Sequence, residues 1–160
     1  MAYTAKSYDH LLGTPGFSDA LLKNHFTLYQ GYVANTNKLN EELAILLVDG
    51  KQGSPAFAEL KRRFGWEWNG MRLHELYFAN LQPDAGALPD DHPLAAAARA
   101  THESVDAWRA ELLGTARMPG FGWAVVSYDR ADRRLITSWV EDHHDGHLAG
   151  ARPVLVLDLW

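Results

Sequence analysis

The chain of 160 residues contains no cysteine. Disulfide frameworks, thiolate metal sites and cysteine nucleophiles are excluded, so any metal must be held by histidine, carboxylate or water. No apolar run approaches the length of a membrane span, and a membrane partner is not expected. The opening "MAYTAKSYDH" lacks the apolar core of an export signal, which makes a cytoplasmic location the expectation. There is no basic excess either. Twenty acidic against 15 basic residues leave a net charge of -5, which argues against a nucleic-acid partner. The G-x-S-x-G elbow, the Walker phosphate loop, the dinucleotide fingerprint and paired Glu-x-x-His motifs are all missing. His74–Glu75 is followed by Phe78 where a zinc protease needs its second histidine. What the chain does hold is eight histidines and six tryptophans, enough to build a histidine metal site in an aromatic setting.

Apolar content of 47% predicts a globular chain. Pro15 and Gly16 precede a helix start, with Ser18 or Asp19 as its cap. Leu21, His25, Leu28, Tyr32, Leu39, Leu43 and Leu46 then recur at helical spacing up to "DGKQGSP". A second long stripe is formed by Phe57, Leu60, Phe64, Met71, His74, Phe78 and Leu81. Two long helices joined by a short loop predict an antiparallel hairpin. "QPDAGALPDDHP" is the natural boundary, giving a helical domain over 1–82 and an α+β domain over 90–160. The second domain should hold two short helices near Leu94–Thr101 and Val105–Leu113, the latter capped by Ser104 and ended by Gly114. "GFGWAVVSYD" and "RRLITSWVE" read as a hairpin of strands. "PVLVLDLW" reads as a third strand, and its continuous apolar run suggests burial on both faces. The fold class is α+β: a long antiparallel helical hairpin, then a lobe with short helices and a small three-stranded sheet.

Candidate chemistry concentrates in four places. His25, Tyr29 and Tyr32 share one face of the first helix. A lone histidine there is more often a satisfied core residue. His74 on the inward stripe of the partner helix changes the balance, because two facing helices can bring both imidazoles to one metal. Asp158 ends an apolar strand, where a carboxylate is costly unless exposed, paired or coordinated. "VEDHHDGHLAG" brings His143, His144 and His147 into a connection between strands, which alone is weak evidence.

Taken together, "NHFTLYQGYVANTNKLNEEL", "NGMRLHELYFANL", "GFGWAVVSYD" and "PVLVLDLW" resemble, in this order, four segments of the iron/manganese superoxide dismutase family. The match runs over nearly the whole chain. The resemblance implies that family's fold, a helical hairpin followed by an α+β lobe with a three-stranded antiparallel sheet. It also implies an antioxidant enzyme that converts superoxide to dioxygen and hydrogen peroxide at one iron or manganese ion per subunit. By resemblance, His25, His74 and Asp158 are metal ligands, and Tyr32 is the gateway residue that relays protons. Trp123 lines the metal pocket, and Phe78 stands where the family usually has a tryptophan. His143 matches an outer-sphere residue, often glutamine, that hydrogen-bonds solvent at the metal. Gly70 falls where iron-type members often place that glutamine.

Three departures from the family pattern bear on function. Six residues separate His25 from Tyr32 where the family has seven, which puts Asn24 at the ligand position unless a helical bulge accounts for the difference; His25 is the preferred ligand. Tyr29 replaces a second histidine. The family strand continues D-x-W-E-H, with a glutamate that bridges subunits and a fourth protein ligand, whereas this sequence stops at Trp160. The resemblance thus implies either a fragment of a longer gene product or a C-terminally truncated form, with impaired activity expected of this chain and a homodimer for the full-length protein. The alternative is a non-catalytic metal-binding or interaction domain that keeps the fold.

Overall fold

The computed structural model describes residues 2–160. The chain divides into two compact units, Met1–Pro83 and Asp84–Trp160.

The first unit is built on two long helices, α1 (Asp19–Val48) and α2 (Pro55–Asn80). Ser18 caps α1, its side chain accepting from the Leu21 amide at 3.2 Å. The serine hydroxyl satisfies an amide that the helix start would otherwise leave without a partner. At the other end Gly50 takes φ 68°. That left-handed turn lets the Lys51 amide donate to the Leu46 carbonyl at 2.8 Å, and the Gly50 amide to Leu47 at 3.1 Å. This is a Schellman stop, and glycine adopts its φ without a Cβ penalty. After six intervening residues, 49–54, α2 begins on Pro55 under a Ser54 cap, where proline's missing N–H costs nothing.

The α1 stripe read from the sequence is rotated by about one residue. Leu21 and Leu28 are each 52% exposed, and the buried row is Leu22, Phe26, Tyr29, Val33, Thr36, Leu39 and Leu43. Both rows fit a 3.6-residue period, so spacing alone does not separate them. Before α1, the segment from Tyr3 to Leu11 lies along the helices. Tyr3 and Asn37 exchange two hydrogen bonds (2.7 and 2.9 Å), and the Lys6 amide donates to the Tyr29 hydroxyl at 3.1 Å.

The second unit starts with α3 (Pro93–Thr101) and α4 (Val105–Ala116). Ser104 caps α4 as read, but the helix continues through Gly114 to Ala116. An interior glycine costs only about 1 kcal/mol relative to alanine, too little to end a helix whose next turn still forms hydrogen bonds. Strands β1 (Gly122–Asp129), β2 (Arg134–Glu141) and β3 (Arg152–Asp158) make an antiparallel sheet in the order β2-β1-β3. Ala98, Trp108, Leu112, Ala124, Val126 and Leu135 form the core between helices and sheet.

The doubly buried strand is β1 and not β3. Residues 122–127 of β1 are all buried, whereas in β3 only Val156 is, and Val154 is 37% exposed. Pro153 bears on this: it has no N–H for a second ladder, which suits an edge position, and the β1–β3 register shifts opposite it, between Val126 and Ser127.

Candidate metal centre

In the first unit α1 and α2 bring two imidazoles together. The ring centroids of His25 and His74 lie 4.9 Å apart at 87°. A ligand nitrogen of one lies within 4.8 Å of a ligand nitrogen of the other. α1 is unbroken from Asp19 to Val48, so His25 and Tyr32 stand seven residues, about two turns, apart on one face. No bulge is needed. Asn24, the alternative ligand, is exposed.

His74 is 1% exposed, and its Nδ1 lies 2.6 Å from the Gly70 carbonyl oxygen. A carbonyl only accepts, so Nδ1 carries the hydrogen and donates. The lone pair therefore sits on Nε2. This is how ligand histidines are generally oriented, with one nitrogen tied to a carbonyl and the other presented to the metal. The Tyr32 ring stacks on His74 (5.2 Å, 29°). Phe78 packs edge-on against His25 at 5.0 Å, with Tyr77 5.4 Å from the same imidazole. Phe78 thus lines the histidine pair from within α2.

The second unit holds the remaining sequence candidates. Asp158 ends β3 opposite Trp123 of β1. Its Oδ1 accepts the Trp160 amide at 2.9 Å. Trp123 is fully buried, and its indole N–H donates to His143 Nδ1 at 3.0 Å. An indole nitrogen cannot accept, so His143 Nδ1 is the acceptor and Nε2 carries the hydrogen of the neutral ring. The histidine-rich connection is sorted by burial. His143 is 2% exposed, whereas His144 reaches outward to Asp145 at 3.9 Å and His147 contacts the His143 carbonyl at 3.0 Å.

The sequence reading missed the surroundings of Phe78. Tyr8 covers that ring at 4.7 Å and meets Tyr29 edge-on at 5.6 Å. The Tyr29 hydroxyl donates to Glu75 Oε1 at 3.0 Å, and Glu75 also takes Lys6 and Arg72. Tyr8 and Phe78 are 70 positions apart, so no local pattern connects them. Tyr29 was visible on the His25 face and as a substitute for histidine, but its bond to Glu75 was not.

Burial pushes the Tyr8 phenol well above its ordinary value, and the neighbouring Tyr29 and Glu75 add to the rise. Tyr29 is raised too, first by burial, with the Glu75 bond adding and the Lys6 amide opposing. Both phenols stay neutral in the fold at a pH where the unfolded chain ionises them, from about 10 upward. Their contribution to stability is complete below that pH and falls as the pH rises above it. Thermal midpoints recorded across this range should drop on the alkaline side, and Tyr8→Phe should flatten the drop. An equally steep loss in the Tyr8→Phe variant would show that these phenols are not its source.

Comparison with known proteins agrees with this geometry. Residues 90–160 match the family described as iron/manganese superoxide dismutases, C-terminal domain. The chain is 36% identical over 157 residues to a manganese superoxide dismutase of Haloferax volcanii, covering 96% of this chain and 74% of that protein. It is 37% identical over 150 residues to an iron superoxide dismutase of Cupriavidus metallidurans, covering 91% and 73%. A manganese superoxide dismutase of Haloarcula marismortui is 32% identical over 154 residues, covering 96% and 74%. Two helix-borne histidines, a buried Trp123–His143 pair and identity sustained across both units place this chain in the iron/manganese superoxide dismutase family.

Proposed function

We propose that the chain disproportionates superoxide at a single iron or manganese ion held by His25, His74 and Asp158, a donor set of the chemistry both metals accept. The observation that carries this reading is the His25–His74 pair with the His74 tautomer fixed by Gly70. One superoxide gives up an electron and leaves as dioxygen. A second takes that electron and two protons and leaves as hydrogen peroxide. An iron or manganese ion held there would supply the one-electron chemistry.

The chain's own residues bind and supply protons. Two neutral imidazoles and one carboxylate leave the centre positively charged, which favours an anionic substrate. With a net charge of -5, the molecule as a whole adds nothing to that attraction. Tyr32, stacked on His74, hands protons toward the site through its phenol. In this reading His143, its Nδ1 occupied by Trp123, keeps Nε2–H to offer to metal-bound solvent. Phe78, packed on His25 and His74, limits water around the histidines, and the same reading gives Trp123 a lining role. A homodimer, a cytoplasmic location and an antioxidant role belong to the same reading. Among the described residues no helix is long and apolar enough to cross a membrane.

Stopped-flow decay of superoxide, read against bound iron or manganese, tests the proposal. Decay should accelerate in proportion to bound metal, and Tyr32→Phe should slow it by roughly tenfold or more without lowering metal content. A metal-replete chain that leaves superoxide decay at the buffer rate overturns it.

A further inference from the structure

Glu75 is a carboxylate only 8% exposed, adjacent in sequence to His74. Its Oε1 accepts the Tyr29 hydroxyl at 3.0 Å, and its Oε2 accepts Lys6 Nζ at 3.3 Å and an Arg72 guanidinium N–H at 2.6 Å. The Tyr29 oxygen in turn accepts the Lys6 backbone amide at 3.1 Å. Three segments meet at this one point: the stretch before α1, α1 itself and α2.

A buried charged network is a poor way to gain stability. Apolar side chains of the same volume often hold two helices as well or better. What such a network does supply is register, because its donors and acceptors match in only one alignment of the helices. The position of this one is significant. Tyr29 lies one turn from His25 on α1, and Glu75 lies beside His74 on α2, so the network pins each helix within a turn of its imidazole. Phe78 transmits the constraint. It touches Tyr29 (6.0 Å) and Tyr8 (4.7 Å) on one side, and His25 (5.0 Å) and His74 (5.9 Å) on the other. A slip of one helical turn would move one histidine by about 5.4 Å against the other and destroy the pair.

We propose that Glu75 is a positioning residue of the metal centre, acting through Tyr29 and Phe78 to set the separation of His25 and His74; this rests on the metal reading above. The assay is divalent-ion binding by the metal-free chain. Affinity for Mn²⁺ is read from the EPR signal of the free ion, and site geometry from the visible bands of bound Co²⁺. Glu75→Leu and Tyr29→Phe should each weaken Mn²⁺ binding by roughly 10–100-fold and shift the Co²⁺ bands. Glu75→Gln keeps an oxygen for the Tyr29 hydroxyl and should recover most of the affinity. The double variant Tyr29→Phe/Glu75→Leu should be little worse than the poorer single one, since both remove the same connection. Variants that keep the helical circular dichroism of the parent, yet bind Mn²⁺ equally tightly with unshifted Co²⁺ bands, overturn the proposal. If Glu75→Leu does not fold, Tyr29→Phe decides by the same readouts. Failure of the unaltered chain to bind either ion refutes the metal reading itself, and with it this inference. Loss in neither variant, with normal binding by the parent, refutes the positioning role alone.

Discussion

Replacing His74 should abolish metal retention and superoxide turnover together. The residue is 1% exposed, donates from Nδ1 to Gly70, and carries its lone pair on Nε2 beside His25. Changes to groups that merely support a ligand cost roughly 10–100-fold in affinity or activity, and losing the ligand itself should cost more. His74→Ala also leaves a hole next to Tyr32 and Phe78, so its effect mixes ligation with packing. His74→Phe separates them. It refills most of the volume and forfeits the bond to the Gly70 carbonyl, a loss of about 1 kcal/mol. The metal-free His74→Phe chain should thus melt near the metal-free parent, while elemental analysis finds almost no bound iron or manganese. Unchanged turnover in either variant would refute the dismutase reading. Metal held by the parent and lost from the variants, with superoxide decay at the buffer rate in all of them, would instead favour a binding domain without catalysis.

Gly70→Ala should destabilise the chain, against the usual gain from removing a helical glycine. In a helix interior that exchange favours folding by up to about 1 kcal/mol. At Gly70, however, a Cβ would stand 2.6 Å from Tyr32 Cδ1, 2.8 Å from Cε1 and 2.9 Å from Cγ. These atoms include the base of the ring, which cannot swing aside as a chain end would, and the ring is stacked on His74. Overpacking of this kind costs about 1–3 kcal/mol, which meets or exceeds the helical gain. Gly31→Ala is the control: nothing lies within 4 Å of its Cβ position, so the helical gain should appear undiminished. Thermal melts of the two variants should therefore move in opposite directions. A rise in both would mean that Tyr32 yields freely and that the close approach of α1 and α2 does not hold it. Since Tyr32 is the proposed proton donor, Gly70→Ala should also depress turnover more than metal content.

Much of this was visible in one dimension. The caps at Ser18 and Ser104 and the strand hairpin are local events, each decided within a few residues, and the chain reads them plainly. His25 and His74 were visible as histidines on two apolar stripes. The errors have a common origin. The α1 stripe was read a residue off because Leu21 and Leu28 keep the same period as Leu22 and Tyr29. The apolar run of β3 suggests double burial and misleads, because such a run records hydrophobicity and not which strands flank it.

By itself, then, the sequence determined the elements, their order, the exclusion of cysteine chemistry and the two helix-borne histidines, because helix periodicity and capping act over short stretches of chain. Only the tertiary structure decided which nitrogen of His74 carries the lone pair, that α1 needs no bulge between His25 and Tyr32, and that Lys6, Tyr29 and Glu75 close one network beside the histidine pair. Those facts depend on contacts between residues tens of positions apart. Such contacts are fixed by how whole helices pack, and no local preference encodes them.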